Sequence, residues 1–392
     1  MKILHRVFYG IAFLFLIYVL IINFVPDLVD RDSNKVVLSG PYEIDDETAL
    51  AHQSIPFVTD LHCDVLLWDR DITDEEDFGH VDIPRMQRGN VALQAFTIVS
   101  KSPAGLNFQS NSADANDDIT LLSIVQGRPV NTWFSLKERA IYQCEKLYKA
   151  AEDSGGEFRV ITSVSDLRKF TTDRSNNPKL TAGYLGAEGA HILEANINNV
   201  QEMYDAGIRM MAPVHFFDNA LGGSAHGVEK GGLTEFGKSV ITKMEELNMI
   251  IDLAHASPNL IDDVMDMASK PLLVSHTGVK GTCDNIRNLS DEHIKRIARG
   301  GGLIGVAMFD TAVCGSSAKS TADAIKYVAE LVGISHVGLG SDFDGSVTTH
   351  FDISGMALLT KELIGLGYSQ PQINRIMGGN ALQFLLNNLP KE

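Results

Sequence analysis

The sequence predicts an α/β fold, and specifically a (β/α)8 TIM barrel. Short apolar runs alternate with amphipathic stretches along most of the chain, a pattern typical of a parallel sheet covered on both faces. There are eight such runs, which is the number of strands that this barrel needs. Six of the runs end on ionisable side chains, and a barrel brings the C-terminal ends of its strands to one mouth.

The predicted strands are, in chain order, PFVTDLH (56–62), VALQAFTIV (91–99), AGYLGAE (182–188), IRMMAPVH (208–215), MIIDLAH (249–255), PLLVSH (271–276), GLIGVAMF (302–309) and HVGLGSDFDG (336–345). Helices are predicted between them, over 233–247, 258–268, 290–299 and 321–333. A doubly wound open sheet is the alternative fold. It is disfavoured because no G-x-G-x-x-G opens the first helix and because it would not bring six strand ends together.

The N-terminal segment differs from the rest of the chain. Residues 7–25 carry no charge, Lys2 and Arg6 precede them, and acidic residues follow. Such a run can just cross a membrane, and the preceding positive charge places the tail in the cytoplasm. A cleaved signal peptide is the alternative. We predict a cytoplasmic tail (1–6), a transmembrane signal anchor (7–25), a linker (26–54) and a barrel domain (55–388) exported to the periplasmic or extracellular side.

The composition argues against a nucleic-acid partner. The chain has 392 residues, a net charge of −17 and 44% hydrophobic residues. It has no basic cluster that could neutralise phosphates. The composition therefore predicts an acidic, globular body.

The side chains at the strand ends are those of a metal site. In an extended strand, His62 and Asp64 point to the same face and Cys63 to the other. Imidazoles and carboxylates bind zinc and similar divalent ions. The set exceeds what one ion needs, so we predict two metal ions with a bridging carboxylate, which together activate a shared water. The set comprises His62, Asp64, Glu188, His215, His255, His276 and Asp342.

Arg287 follows His276 by eleven residues on the same predicted loop. From that loop its guanidinium could reach the mouth of the barrel. Arginine binds carboxylates through two parallel hydrogen bonds, so we predict a carboxylate clamp at this position.

Other histidines are weaker candidates. His80 and Asp82 form a second H-x-D pair, but no apolar run leads into it, and Asp82 is better interpreted as a helix cap. His191 follows Glu188 by three residues and is either a neighbour of the site or structural. The histidines predicted to lie on the surface are His52, His293, His336 and His350.

Four cysteines are available for disulfides, and three pairings are open if all are bridged. An exported domain permits a disulfide. The spacing does not select a pairing. Cys63 and Cys144 are expected to be buried free thiols.

The motifs resemble those of the membrane (renal) dipeptidases, peptidase family M19 of the amidohydrolase superfamily. In chain order they read DLHCD, HVDIPRMQRGNVALQAF, AEGAH, GIRMMAPVH, IIDLAHAS, LLVSHTGVKGTCDNIRN, GLGSDFDG and IMGGNALQFL. They lie between about residues 55 and 387, in the order and at the spacing of that family. The resemblance also implies a metal-dependent hydrolase type of barrel.

The resemblance implies two Zn²⁺ ions per chain. His62 and Asp64 would bind the first ion, and His255 and His276 the second. Glu188 would bridge the two ions.

The resemblance also implies roles for residues around the metals. His215 would polarise the substrate carbonyl, and Arg287 would bind the terminal carboxylate of a dipeptide. Asp342 would contact the substrate amino group and handle protons, with Asp344 as a weaker candidate for that role. Cys283 would form a disulfide, with Cys314 as its partner.

The implied activity is hydrolysis of dipeptides by a hydroxide shared between the metals, in a homodimer. The predicted tether to the membrane is the N-terminal helix, whereas the mammalian enzymes use a C-terminal lipid anchor. One alternative is a related binuclear hydrolase of another C–N bond, such as an N-acyl-amino acid deacetylase or a β-lactam hydrolase. Another is a non-catalytic, membrane-tethered binding protein. The loop FFDNALGGSAHG after His215 departs from the mammalian pattern. Substrate preference, including a D-residue at the C-terminal position, therefore stays open.

Overall fold

In a computed structural model that describes residues 2–392, the predicted strands pair in chain order around a barrel. All of these pairings are parallel, and β8 returns to pair with β1. The barrel strands are β1 (Val58–Asp60), β2 (Val91–Ile98), β3 (Thr181–Ala187), β4 (Ile208–Met211), β5 (Ile250–Ile251), β6 (Leu273–Thr277), β7 (Leu303–Val306) and β8 (Val337–Leu339).

The ring of strands closes between β5 and β6. Asp252, directly after β5, forms a parallel bridge with Leu273 of β6. The Leu253 N–H donates a hydrogen bond to the Leu273 carbonyl oxygen at 2.8 Å. The predicted (β/α)8 barrel is confirmed.

Helices lie between and around the strands. Three short strands lie outside the ring: Lys35–Val36 pairs with Thr348–Thr349, and Phe158–Val160 pairs with β3. The α-helices are Lys2–Ser33, Asp46–Gln53, Ile83–Arg88, Asp118–Val125, Leu136–Asp153, Val164–Asn176, Asn199–Asp205, Glu235–Glu246, Pro258–Met267, Asp291–Arg299, Asp310–Val313, Ala318–Val332, Met356–Gly365, Gln370–Asn374 and Asn380–Asn388. Short 3₁₀ or π turns span Val65–Leu67, Val130–Trp133, Ala190–Leu193, Ile334–His336, Ile353–Gly355 and Arg375–Gly379.

The predicted helices begin at side-chain caps in the sequence. Thr234, Ser257, Ser290 and Ser317 each accept a hydrogen bond from the backbone N–H three residues later. Such caps satisfy N–H groups that have no partner in the first turn of a helix. They start each helix directly after its βα-loop, so the loops at the barrel mouth have defined ends.

Alternate strand residues enter two apolar clusters. Leu93 and Tyr184 belong to a cluster that includes Phe384 of the last helix. Phe96 and Leu185 belong to the larger cluster. Because successive side chains of a strand point to opposite faces, the strands are apolar on both faces, as the near-continuous apolar runs predict.

The segment 26–54, predicted as a linker, lies against the barrel. Asp30 forms a buried ion pair with Arg70, whose Nε lies 2.7 Å from the Asp30 carboxylate. His52 is buried and hydrogen-bonds to Thr360 Oγ1 at 2.8 Å, so the prediction of a surface position for His52 is wrong. Its helix is covered by the helix Met356–Gly365, a contact distant in sequence. The domain boundaries stay a prediction.

The cysteines and the apolar helix complete the fold. Cys283 and Cys314 form a disulfide, as the family resemblance implies, and Cys63 and Cys144 are buried free thiols. Within residues 2–392, one helix, His5–Ser33, is long and apolar enough to cross a membrane.

Substitution of Gly340 tests the close packing of β8 against β6. A Cβ at Gly340 would lie 1.8 Å from the Ser275 carbonyl oxygen and 3.0 Å from the His276 Cα. We expect Gly340→Ala to lower the free energy of unfolding by about 1–3 kcal/mol, as overpacking of cores does. Chemical denaturation of the detergent-solubilised chain measures this change.

The matched control is Gly365→Ala at the end of the helix Met356–Gly365. A Cβ there meets no heavy atom within 4 Å among the described residues. Its stability should be unchanged or raised by up to about 1 kcal/mol. Equal effects of the two substitutions would contradict the packing argument.

Candidate metal centre and active site

The predicted site residues come together at the C-terminal ends of the strands. All eight are buried, and six of them line one cavity of about 600 Å³. The barrel therefore brings together residues that are far apart in the sequence. They are His62 and Asp64 after β1, Glu188 after β3, His215 after β4, His255 after β5, His276 on β6, Arg287 on the loop after β6, and Asp342 after β8.

One group of ligand atoms surrounds His62 Nε2. This nitrogen lies 3.5 Å from Asp64 Oδ1 and 3.5 Å from Glu188 Oε1. Asp342 Oδ1 lies 3.9 Å from the same nitrogen. Within the described chain, His62 Nε2 is buried without a hydrogen-bond partner. A buried nitrogen that faces carboxylates in this way is placed as a metal ligand would be.

A second group meets at the same carboxylate. His255 Nε2 lies 2.9 Å from Glu188 Oε1, and His276 Nε2 lies 3.3 Å from it. The two imidazole nitrogens are 3.0 Å apart. Glu188 is thus common to both groups, as a bridging ligand must be.

These separations fit zinc. Four ligands at about 2.0–2.1 Å from a tetrahedral zinc ion lie about 3.3 Å from one another. The separations in the two groups are 3.5 Å around His62 and 2.9–3.3 Å around His255. The mixture of imidazole and carboxylate donors is the one that zinc prefers. The donor set can therefore hold two divalent ions.

Ser275 orients two of the histidines. Its hydroxyl lies 3.1 Å from His62 Nδ1 and 2.9 Å from His276 Nδ1, which leaves both Nε2 atoms facing Glu188. Thr97 plays a similar part by donating a hydrogen bond from Oγ1 to Asp64 Oδ1 at 2.6 Å. Outer hydrogen bonds of this kind set the ring orientation and tautomer of metal ligands. No signal in the sequence distinguishes Ser275 or Thr97 from ordinary strand residues.

The site concentrates carboxyl groups away from water. Burial and the nearby Asp64 carboxylate raise the pKa of Glu188 well above its usual value. Burial raises the pKa of Asp342 to about 7. Burial lowers the pKa of His62, but Asp64 and Glu188 outweigh it and raise that pKa to about 10. Since buried carboxylates need compensating positive charge, the pocket favours cations.

Backbone strain marks two of the site residues. His255 has a φ of 61° and Asp342 a φ of 65°. This left-handed conformation is uncommon for residues other than glycine and is concentrated at functional sites. Both residues follow the end of a strand, at the mouth of the barrel.

His215 and Arg287 complete the wall of the site. His215 Nε2 lies 3.2 Å from Glu188 Oε2. Arg287 Nη2 lies 3.4 Å from His255 Nε2, and its Nη1 is buried with no hydrogen-bond partner in residues 5–392. A guanidinium in this state is poised to bind an anion that enters the cavity. The nearby Cys283–Cys314 disulfide links its loop to the loop after β7.

Three weaker candidates lie outside the ligand groups. Asp344 accepts hydrogen bonds from Arg70 Nη2 at 2.5 Å and from the His80 N–H at 2.8 Å, so it stabilises the loop after β8. Asp82 caps the helix Ile83–Arg88, as predicted. His191 is buried beside Phe217, with ring centroids 5.0 Å apart.

Apolar and polar side chains line the cavity together with the ligand groups. Near the ligand groups, the wall is formed by Asp64, Glu188, His215 and Asp342. The apolar lining residues include Val29, Leu67, Trp68, Val99, Leu106, Ile119 and Leu122, and the polar ones include Ser33, Ser102, Asp118, Asp310 and Thr311.

The sequence of the barrel matches a known family over nearly its whole length. Residues 46–387 match the model of the membrane dipeptidase family, Peptidase family M19. The chain belongs to this family. The resemblance of the motifs is thereby confirmed.

Curated relatives in the family include two dipeptidases. Mouse Dipeptidase 3 is 26% identical over 248 residues, which cover 57% of this chain and 48% of the mouse protein. The Aspergillus oryzae protein Dipeptidase aclJ is 26% identical over 351 residues, which cover 84% of this chain and 77% of that protein. The chain thus matches about half the length of the mouse protein.

A solved structure with a similar backbone supports the fold. It is a metallo peptidase from Rhodobacter sphaeroides liganded with a phosphinate mimic of the dipeptide L-Ala-D-Ala. It superposes with a TM-score of 0.69 at 22% identity, covering 85% of this chain and 99% of that one.

Ser275 provides a test of the metal centre. In Ser275→Ala, the two histidines lose the group that holds their Nδ1 atoms, so we expect zinc affinity to fall by about 10- to 100-fold. Titration of the metal-stripped chain with zinc and a competing chelator measures this. The exposed Ser239 on the helix Glu235–Glu246 supplies the control, Ser239→Ala. Unchanged affinity in Ser275→Ala would remove this serine from the metal centre.

Proposed function

We propose that the protein is a zinc-dependent dipeptidase that hydrolyses the peptide bond of dipeptides. The observation that carries this proposal is the Glu188 carboxylate, which two groups of ligand atoms share at the base of a cavity. Arg287, with a free buried Nη1, lies in the same cavity. A paired metal site and a carboxylate-binding group together define a substrate with a scissile amide and a free C-terminus.

Five residues would hold the ions. His62 and Asp64 would bind one ion, His255 and His276 the other, and Glu188 both. When bound there, zinc would supply Lewis-acid chemistry and would lower the pKa of a bound water molecule.

Arg287 selects short peptides. Its guanidinium binds the terminal carboxylate of the substrate through charge-assisted hydrogen bonds. A longer peptide would place an uncharged amide there and leave the buried guanidinium without its partner, which is costly. Extension beyond the C-terminal residue is therefore excluded, and Asp342 would meet the amino group at the other end of the dipeptide.

His215 and Asp342 act on the reacting groups. His215 donates a hydrogen bond from its ring to the carbonyl oxygen as negative charge develops there, an effect worth about 3–4 kcal/mol in other hydrolases. Asp342 accepts the proton of the attacking water on a carboxylate oxygen and delivers it to the leaving amine.

The cavity lining indicates which dipeptide side chains the site accepts. The apolar residues that line the cavity suit dipeptides with an apolar side chain. The relative that binds a mimic of L-Ala-D-Ala supports testing a D-residue at the second position.

The apolar N-terminal helix supports a membrane anchor with an exported catalytic domain. A homodimer is part of the same proposal.

Glu188→Gln tests the metal-dependent reaction. Gln keeps the shape of the side chain but removes the charge that bridges the ligand groups. We expect bound zinc to fall below about two per chain and hydrolysis of dipeptides to fall by at least about 100-fold. Elemental analysis and an amine-release assay on L,L- and L,D-dipeptides measure the two effects. The exposed Glu202 provides the control, Glu202→Gln.

The same assay separates the alternatives. Chelator-sensitive turnover of N-acyl amino acids or a β-lactam, without turnover of dipeptides, would replace peptidase activity with cleavage of another C–N bond. Absence of both metal and turnover in the unsubstituted chain would leave a binding protein. Full activity in Glu188→Gln would contradict the proposed site.

Arg287→Ala tests the carboxylate clamp. Loss of a charge-assisted contact of about 1.5–3 kcal/mol should lower kcat/KM for dipeptides by about 10- to 100-fold, mainly through KM. The diagnostic measurement is the ratio of kcat/KM for a dipeptide to that for its C-terminal amide, which should fall in the variant. The exposed Arg299 on the helix Asp291–Arg299 gives the control, Arg299→Ala. An unchanged ratio in Arg287→Ala would contradict the clamp.

A further inference from the structure

We propose that residues 119–136, here called the apolar wedge, enter the surface layer of the lipid bilayer beside the N-terminal helix. The active-site cavity would then open at the membrane surface. This inference rests on the membrane anchor proposed above, and it does not depend on which bond the site cleaves.

The wedge has the composition of a membrane-contacting element. Its sequence, ITLLSIVQGRPVNTWFSL, holds one charged residue, Arg128. That guanidinium is buried and donates a hydrogen bond to the Leu67 carbonyl oxygen. Large apolar side chains are exposed instead: Leu121 by 65%, Val130 by 61% and Phe134 by 81%. Exposed apolar clusters of this kind mark interaction surfaces.

The wedge is continuous with the apolar N-terminal helix. The Tyr18 hydroxyl lies 3.4 Å from the Ile124 carbonyl oxygen, to which it donates a hydrogen bond. Ile22 packs beside Gly127, where an added Cβ would lie 3.9 Å from its Cδ1. A bilayer that surrounds residues 7–25 must therefore also meet the wedge. This continuity favours lipid as the occupant of the exposed surface.

The depth of the contact can be estimated from the helix. Tyr18 lies seven residues before Val25, the end of the uncharged run, which is about 10 Å at 1.5 Å per residue. Elements that lie in the membrane interface bury their apolar side to about 5–10 Å. The wedge contacts the helix at Tyr18 and Ile22. The depth of this contact in the bilayer is therefore within the range of an interfacial element.

Buried polar contacts hold the helix against the barrel. Asp30 pairs with Arg70, which also binds Asp344 on the loop after β8. Asn34 donates a hydrogen bond to Asp30, and accepts one from the Ser346 N–H at 2.9 Å. Breaking a buried ion pair is strongly destabilising. The helix and the wedge are thus held in one orientation relative to the catalytic mouth.

The mouth of the cavity lies close to the predicted membrane level. Val29 and Ser33 of the N-terminal helix line the cavity together with Ile119 and Leu122 of the wedge. Val29 is four residues beyond Val25, about 6 Å along the helix axis. Substrates would reach the site along the bilayer surface.

The chemistry of the surface identifies the kind of lipid contact. The protein carries a net charge of −17, and the wedge exposes no basic side chain among the described residues. Attraction to anionic headgroups therefore contributes little, and insertion of apolar side chains is the source of the contact. Zwitterionic phosphatidylcholine is accordingly a sufficient partner.

The test places fluorescent probes on the wedge of the full-length chain in phosphatidylcholine vesicles. Leu121→Cys and Val130→Cys are labelled with an environment-sensitive dye, because the native thiols are buried or bridged. Lys179→Cys, exposed directly before β3 at the other end of the barrel, is the matched control. The unsubstituted chain controls for labelling of native cysteines.

We expect blue-shifted emission at Leu121 and Val130 that brominated acyl chains quench, and neither effect at Lys179. The quenching should persist at high salt, because the contact is apolar. Emission quenched by aqueous iodide at all three positions would overturn the proposal. Blue-shifted emission without quenching by the lipid would also overturn it, because a second copy or another protein would then cover the wedge. If the N-terminal helix is cleaved, release of the labelled catalytic domain from the vesicles would overturn the proposal as well. Since hydrolysis is not measured, failure here is distinct from failure of the proposed activity.

Discussion

The buried Glu188 carboxylate is the constraint on which the rest of the site depends. A carboxylate removed from water is unstable unless nearby groups supply positive charge or hydrogen bonds. Here imidazoles from four other strands approach its two oxygens. Parallel strands closed into a ring are the means by which such distant residues reach one point. The closed barrel is thus a requirement of the site as well as its scaffold.

The precision of the site depends on residues that never face the cavity. Gly340 lets β8 approach the backbone of β6 closely, and the Ser275 hydroxyl then holds the Nδ1 atoms of His62 and His276. Asp344 binds Arg70 and the His80 backbone, so the loop that carries Asp342 is tied to the barrel wall. Rigid support of this kind keeps ligands within the narrow tolerance that metal sites demand.

The barrel strands and most of the site could be predicted because their signals are local. Each strand is a short apolar run, and His62, Glu188 and His276 stand at the ends of such runs. Ser275 could not be predicted, because its role depends on two imidazoles that reach it from separate strands. His52 was misplaced for a similar reason: its helix is covered by residues near 360, a contact that no local pattern encodes. The role of Ser275 and the burial of His52 thus depend on long-range contacts, which the periodicity of the sequence does not encode.

The position of Arg287 links the chemistry of the site to the location of the protein. Asn288 donates hydrogen bonds from Nδ2 to the carbonyl oxygens of Cys283 and Ala312, joining the loops after β6 and β7. The Cys283–Cys314 disulfide ties the same two loops covalently. Disulfides persist in exported compartments and are rare in the cytosol. The disulfide fixes the loop that presents the guanidinium to the cavity, so the export proposed above would also secure the proposed substrate-binding arginine.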